Sequence, residues 1–107
     1  MNVEEIRDYA LSLKKVTESF PFGNDTLVFK LSNKIFLLVS LSSEVLQFNV
    51  KCNPEEAIEQ REQYSCIMPG YHMNKKHWNT IIVDGQLSAS QLKNFINNSY
   101  KLVNRKK

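Results

Sequence analysis

The stretch TLVFKLSNKIFLLVSLSSEVLQFNVK, residues 26–51, decides the fold class, because it contains three strand-like segments separated by short polar turns. Residues 26–31 alternate in character, residues 35–41 are almost continuously apolar, and residues 45–51 place Leu46, Phe48 and Val50 on one side. Alternation with period two is typical of a half-buried strand, and a short continuous apolar run is typical of a central one. The sequence therefore predicts an antiparallel meander.

Helical patterns flank this meander. Asn2 and Glu5 form a capping box ahead of an apolar stripe, and Ser88 and Gln91 repeat the arrangement near the C-terminus. A third helix is predicted to begin at Asn53, where asparagine can cap the helix and proline follows at the first helical position. Between the first helix and the meander, Phe20 and Phe22 are expected to anchor a loop on the core.

The remaining chain supplies two more strands. Residues 78–83 follow a break at Pro69 and Gly70, and a short strand at residues 66–68 is predicted to pair with them. The element order is then α-β-β-β-α-β-β-α. We predict a single domain over residues 1–107, an α+β two-layer sandwich with an antiparallel sheet and its helices on one side.

Composition narrows the class of protein. The 107 residues carry a net charge of +3, but residues 72–107 hold seven basic side chains and one acidic one. The N-terminus has no signal-peptide pattern, and no apolar run approaches the ~20 residues of a membrane helix. We therefore expect a cytoplasmic protein with no membrane contact, whose last third is the part suited to an anionic partner.

Metal binding is the first chemistry that His72 and His77 suggest, with Cys52 and Cys66 as further donors. Neither the spacing of the histidines nor the number of ligands matches a closed zinc site. The chain also has no nucleophile elbow, phosphate-binding glycine-rich loop or paired carboxylates. The sequence thus favours a non-enzymatic protein without metal or cofactor.

Residues 69–79 concentrate the unusual side chains, since they contain the chain's only tryptophan, both histidines and a lysine pair. Cations that meet phosphates and amides that meet bases are the ingredients of a nucleic-acid interface. A turn with this mixture, supplemented by the basic C-terminus, is a candidate DNA site. Its residues are Asn74, Lys75, Lys76, His77, Asn79, Arg105, Lys106 and Lys107.

Three motifs in this order resemble the MmcQ/YjbR family of small bacterial proteins: residues 20–30, FPFGNDTLVFK, residues 49–55, NVKCNPE, and residues 69–79, PGYHMNKKHWN. The likeness covers essentially the whole chain. It implies the α+β fold that this family shares with type III secretion chaperones, and a label as a DNA-binding protein with a double-wing motif. It also implies a structural role for the signature residues Phe20, Pro21, Phe22, Asp25, Pro69, Gly70, Tyr71, His72 and Trp78.

Two functions remain open from the sequence. The first is binding of double-stranded DNA, with the lysines on phosphates and Asn74, His77 and Asn79 near a groove. The second is a protein-interaction or chaperone-like module, in which a sheet face or a strand edge near residues 45–51 takes a partner segment.

Overall fold

The computed structural model describes residues 1–70 and 73–104 as three helices and six strands. The elements in chain order are α1 (Val3–Ser12), β1 (Val16–Ser19), β2 (Thr26–Leu31), β3 (Lys34–Ser40), β4 (Gln47–Lys51), α2 (Pro54–Gln63), β5 (Ile67–Pro69), β6 (Trp78–Ile82) and α3 (Ala89–Val103). The predicted α+β class and element order are confirmed. Strand β1 is an addition that the sequence pattern did not reveal.

The strands form one antiparallel sheet in the order β1-β2-β3-β4-β6-β5. Strand β4 lies inside this sheet, paired with β3 on one side and β6 on the other. The prediction of a strand edge near residues 45–51 is therefore wrong, because the backbone groups of β4 are already bonded to both neighbours. The edges of the sheet are β1 and the three-residue β5.

All three helices cover the same face of the sheet, as predicted. Asn79 of β6 points its side chain at α2, and Ser99 of α3 bonds the backbones of β3 and β4. Ile6 and Ala10 bring α1 into the same apolar core. The sheet contributes to that core Leu27, Phe29, Leu31, Phe36, Leu37, Val39, Phe48, Val50, Ile67 and Ile81.

The three helix starts follow the predicted capping chemistry. Asn2 Oδ1 accepts from the Glu5 amide at 2.9 Å, and the Glu5 side chain accepts from the Asn2 amide at 3.1 Å. Ser88 and Gln91 make the same reciprocal pair at the start of α3. These bonds satisfy amides that have no partner within a helix, and so they fix where each helix begins.

A β-bulge interrupts the pairing of β2 with β3. Phe29 lies opposite Leu37 and Lys30 opposite Ile35, so Phe36 is the extra residue. At this point the buried Ser99 hydroxyl donates to the Phe36 carbonyl at 2.5 Å and accepts from the Lys51 amide at 2.8 Å. One side chain of α3 thus takes the place of a direct bond between β3 and β4.

The predicted core anchors in the β1–β2 loop are not in the core. Phe20 is 48% exposed and Phe22 is 65% exposed. Pro21 occupies the second position of a turn in which the Gly23 amide bonds the Phe20 carbonyl at 3.4 Å. This turn follows the end of β1, and none of the three described helices covers it, so both rings stay largely in water.

Gly70 allows β5 and β6 to approach each other closely. A methyl group on its α-carbon would lie 2.8 Å from Trp78 Cβ and 3.1 Å from the Trp78 carbonyl oxygen. Those atoms belong to the backbone or are attached to it, so they cannot turn away as a flexible side-chain end can. The glycine of this signature motif is therefore required by packing.

We expect Gly70→Ala to destabilise the fold by about 1–3 kcal/mol, the usual cost of forcing an extra methyl group into a packed site. Urea unfolding followed by circular dichroism measures this change. Gly85→Ala is the comparison, because that site is open but has a φ of 95°. Gly70→Ala with unchanged stability would show that the strands can separate at no cost.

Candidate functional site

The connection from β5 to β6 is held in place by one arginine of α2. Arg61 Nε donates to Asn79 Oδ1 at 2.7 Å, and its Nη2 donates to the carbonyl oxygens of Lys75 and Trp78. The Asn74 side chain adds a local bond, accepting from the Lys76 amide at 2.9 Å. Residues 74–78 are therefore fixed relative to α2 by side chains, in addition to the strand ladder.

Asn79 is fully buried and is part of the hydrogen-bond network around Arg61. Besides accepting from Arg61, its amide nitrogen donates to the Ala57 carbonyl at 3.3 Å and to Gln60 Oε1 at 3.2 Å. A side chain enclosed in this way cannot reach a DNA groove. Asn79 is therefore not one of the DNA-binding residues; its side chain joins β6 to α2 instead.

The other candidate residues have different degrees of exposure. Asn74, Lys75 and Lys76 are exposed on the turn, whereas His77 is half-buried. The His77 carbonyl accepts from the Cys52 amide at 2.8 Å and so continues the pairing of β4 with β6. The candidates Arg105, Lys106 and Lys107, and the signature residues Tyr71 and His72, lie outside the described residues.

Exposed lysines from distant parts of the chain gather at one end of the sheet. Lys14 and Lys15 precede β1, whose Val16 pairs with Leu31, and Lys34 opens β3 opposite the same Leu31. The Tyr100 hydroxyl donates to the Lys14 carbonyl at 2.8 Å and brings the end of α3 to this place. We call this surface the lysine end; its members are Lys14, Lys15, Lys34, Lys75, Lys76 and Lys101.

The opposite end of the sheet carries acidic loops. Asp25 precedes β2, Glu44 lies between β3 and β4, and Asp84 follows β6. The separation of charge is not complete, because Glu55 and Glu56 lie in the first turn of α2 next to the end of β4. Many of the charged residues nevertheless lie at one end of the strands or at the other, according to their sign, and this gives the domain a basic end and an acidic end.

A hollow between the lysines is lined by three of them. Lys14, Lys15 and Lys34 surround it together with Tyr100 and Asn104 from the end of α3. The cavity volume is about 470 Å³. Two turns with left-handed backbone form its rim, at Lys15 (φ 63°) and at Ser32 and Asn33 (φ 51° and 67°).

A second cavity lies on the face of the sheet that the helices leave open. Its volume is about 490 Å³, and we call it the sheet-face groove. Leu27, Leu37 and Phe48 face the helices. Because side chains alternate along a strand, their sequence neighbours Thr26, Leu38 and Asn49, which lie on adjacent strands, point to this other face. The described residues that line it are Phe22, Thr26, Leu38, Ser40, Gln47, Asn49 and Met73, together with Phe48, whose ring faces the core on the other side.

Trp78 also belongs to the helix-free side, because the next residue, Asn79, points toward α2. It is half-buried, with its α-carbon opposite that of Lys51. Trp78 therefore does not face the main core.

The cysteines are both buried and free. Cys52 Sγ lies 3.7 Å from the backbone carbonyl oxygen of His77, not against its imidazole. Burial raises the pKa of Cys52 to about 11 and also raises the pKa of the Cys66 thiol. A thiol that stays protonated near neutral pH lacks the thiolate that a cysteine nucleophile needs.

Residues 1–70 and 73–104 contain no group of three His, Cys, Asp or Glu side chains placed to hold a metal ion. In the same ranges, no helix combines the length and apolar character needed to cross a membrane.

The sequence did not point to two parts of these surfaces. Lys14, Lys15 and Lys34 look like scattered solvated charges along the chain, and only the strand register brings them together. The aromatic ring of Phe22 suggests a position in the core. Its position beside Pro21 and Gly23, in a turn, was the signal that favoured exposure.

The geometry defines a class of protein: a small α+β domain with one sheet face covered by the three helices, one face without helices, and a basic end. The YjbR family model matches residues 11–102, and the chain belongs to this family, MmcQ/YjbR.

The chain is similar in sequence to two relatives over nearly its whole length. The chain is 39% identical over 100 residues to the uncharacterized protein YbdF of Escherichia coli O157:H7, covering 94% of this chain and 82% of that protein. It is 28% identical over 101 residues to the uncharacterized protein YjbR of Escherichia coli K12, covering 94% and 86%.

Solved structures show the same fold. The Deinococcus radiodurans protein DR2400, described as a DUF419 domain, superposes with a TM-score of 0.92 at 35% identity, covering 98% of this chain and 80% of that one. A crystal structure of a Pseudomonas syringae protein gives 0.82 at 28% identity, covering 95% and 98%.

Proposed function

We propose that this protein binds double-stranded DNA without catalysing a reaction, through phosphate contacts made by the lysine end. The observation that carries the proposal is the convergence of six exposed lysines from four separate segments at one end of the sheet. Phosphate neutralisation by lysine and arginine supplies most of the affinity of non-specific DNA binding.

The turn with Lys75 and Lys76 suits this role because its backbone is held in one position. Arg61 fixes the Lys75 carbonyl, and Asn74 bonds the Lys76 amide. The two side chains can therefore meet phosphates without first ordering the loop, which lowers the entropic cost of binding. Asn74 is the exposed amide beside them, whereas Asn79 takes no part.

The glutamates of α2 limit where the DNA lies. Glu55 and Glu56 are exposed in the first turn of the helix, close to the end of β4. Repulsion between these carboxylates and phosphates disfavours a backbone that runs along α2. The duplex is instead expected on the side of Lys14, Lys15 and Lys34, with Lys75 and Lys76 at its border.

The test is the binding of a short labelled DNA duplex of mixed sequence, measured by fluorescence anisotropy at several salt concentrations. Each lost phosphate contact changes the slope of log affinity against log salt by about 0.9, so Lys75→Ala/Lys76→Ala should reduce the slope by about 1.8. Lys14→Ala/Lys15→Ala should produce a reduction of similar size.

Lys93→Ala is the matched control, because it removes an exposed lysine near the beginning of α3, away from the lysine end. Its slope should equal that of the wild type. Absence of binding at the lowest salt concentration would overturn the proposal, as would an unchanged slope in both double variants.

A further inference from the structure

The sheet-face groove offers an apolar surface that the DNA proposal does not use. Leu38 forms its floor, and Phe22 and Met73 contribute apolar side chains from the two loops that border it. Thr26, Ser40 and Gln47 add uncharged polar groups at one end. None of the described residues that line the groove carries a charge. Such a mixture suits a ligand that inserts an apolar group and offers hydrogen bonds around it.

The apolar surface continues past the groove. Phe20 and Phe22 are exposed in the β1–β2 loop, and Leu41 and Val45 are exposed at 40% and 50% in the β3–β4 connection. The two loops are tied together where the Leu41 amide bonds the Asp25 carbonyl at 2.8 Å. Large apolar side chains clustered on a surface mark interaction sites more often than single exposed ones do.

Charge distinguishes this surface from the rest of the molecule. Asp25 and Glu44 are exposed in the same two loops, whereas the lysine end lies at the other end of the strands. A basic partner is therefore attracted here and repelled at the lysine end. An acidic partner would have the opposite preference.

We propose that the sheet-face groove binds a protein segment that inserts a large apolar side chain between Phe22, Leu38 and Met73 and carries lysine or arginine on its flanks. The extent of the apolar surface beyond the groove favours a peptide over a small molecule, because a small ligand would leave Leu41 and Val45 uncovered. Asp25 and Glu44 meet the basic flanks. The groove is lined by none of the lysine side chains of the lysine end.

The experiment is selection of a displayed library of random peptides against the wild-type protein, followed by affinity measurement on synthetic versions of the enriched peptides. The enriched sequences should share a large apolar residue flanked by Lys or Arg. Phe22→Ala should weaken their binding about tenfold or more, as expected for an aromatic side chain at the centre of an interface. Glu44→Lys should weaken it and reduce its dependence on salt.

Matched controls lie on α2, whose side chains are on the other face. Ile58 is an exposed apolar residue at 54%, so Ile58→Ala removes a comparable side chain outside the groove. Glu59→Lys reverses a charge there. Both controls should bind the peptides like the wild type, and Phe22→Ala should still bind DNA as the wild type does.

Four results would overturn the proposal. One is the absence of any enriched peptide, and another is enrichment of peptides with acidic flanks. The third is equal loss of binding in Phe22→Ala and Ile58→Ala. If Phe22→Ala instead converts a wild-type dimer into a monomer, as measured by analytical ultracentrifugation, the groove contacts a second copy of the chain and the basic-peptide assignment is wrong.

Discussion

Ser99→Ala is expected to destabilise the protein by about 2–4 kcal/mol, because each buried polar group left without a partner costs roughly 1–3 kcal/mol. The Ser99 hydroxyl bonds both the Phe36 carbonyl and the Lys51 amide, and the residue has no exposed surface. Alanine leaves both backbone groups unpaired at the bulge. The measurement is the free energy of unfolding in urea, followed by circular dichroism.

Ser90→Ala provides the control for Ser99→Ala. It makes the same chemical change in the same helix at an exposed position. Alanine raises helix propensity by up to about 0.5 kcal/mol at both sites, so the control should be neutral or slightly stabilising. A Ser99→Ala protein as stable as Ser90→Ala would mean that β3 and β4 can close the gap directly.

Asn79→Leu should cost about 2–4 kcal/mol, although leucine is similar in size, because it leaves several hydrogen-bonding groups unsatisfied in the interior. Arg61 Nε loses its acceptor, and the Ala57 carbonyl and Gln60 Oε1 lose a donor. Asn98→Leu, at an exposed position of α3, is the control and should change stability by less than about 0.5 kcal/mol.

A double-mutant cycle tests whether Asn79 acts through Arg61. If it does, the combined Asn79→Leu/Arg61→Met protein should be more stable than the sum of the single changes predicts, by about 1 kcal/mol or more. Additive losses would assign the effect of Asn79 to its bonds with the α2 backbone and Gln60.

Both single variants should also bind DNA less tightly through Lys75 and Lys76, since Arg61 no longer holds the turn of these lysines in the same way.

The sequence was most informative where local chemistry determines local structure. The caps at Asn2, Asn53 and Ser88 act within three residues, and the apolar alternation of β4 is visible without any knowledge of its neighbours. Strand β1 was missed because residues 16–19, VTES, contain one apolar residue. Its extended form depends on pairing with β2, which lies beyond an intervening loop.

The candidate site was harder to predict because burial there depends on distant residues. An asparagine beside a lysine-rich turn looks like a surface group, and Asn79 is buried because Arg61, 18 residues earlier in the chain, meets it. Phe22 shows the reverse case, since an aromatic ring suggests a core position but no helix reaches its turn. Lys75 and Lys76, within one exposed turn, were identifiable from the sequence alone.

Trp78 gives the protein a natural optical label. It is the chain's only tryptophan, half-buried on the helix-free side, at the end of a connection that carries Met73 of the groove and both lysines of the turn. Its emission therefore originates from one known place. A ligand that contacts this connection, at Met73 or at the two lysines, can be followed through this indole in the unmodified chain, with no dye attached and no residue replaced.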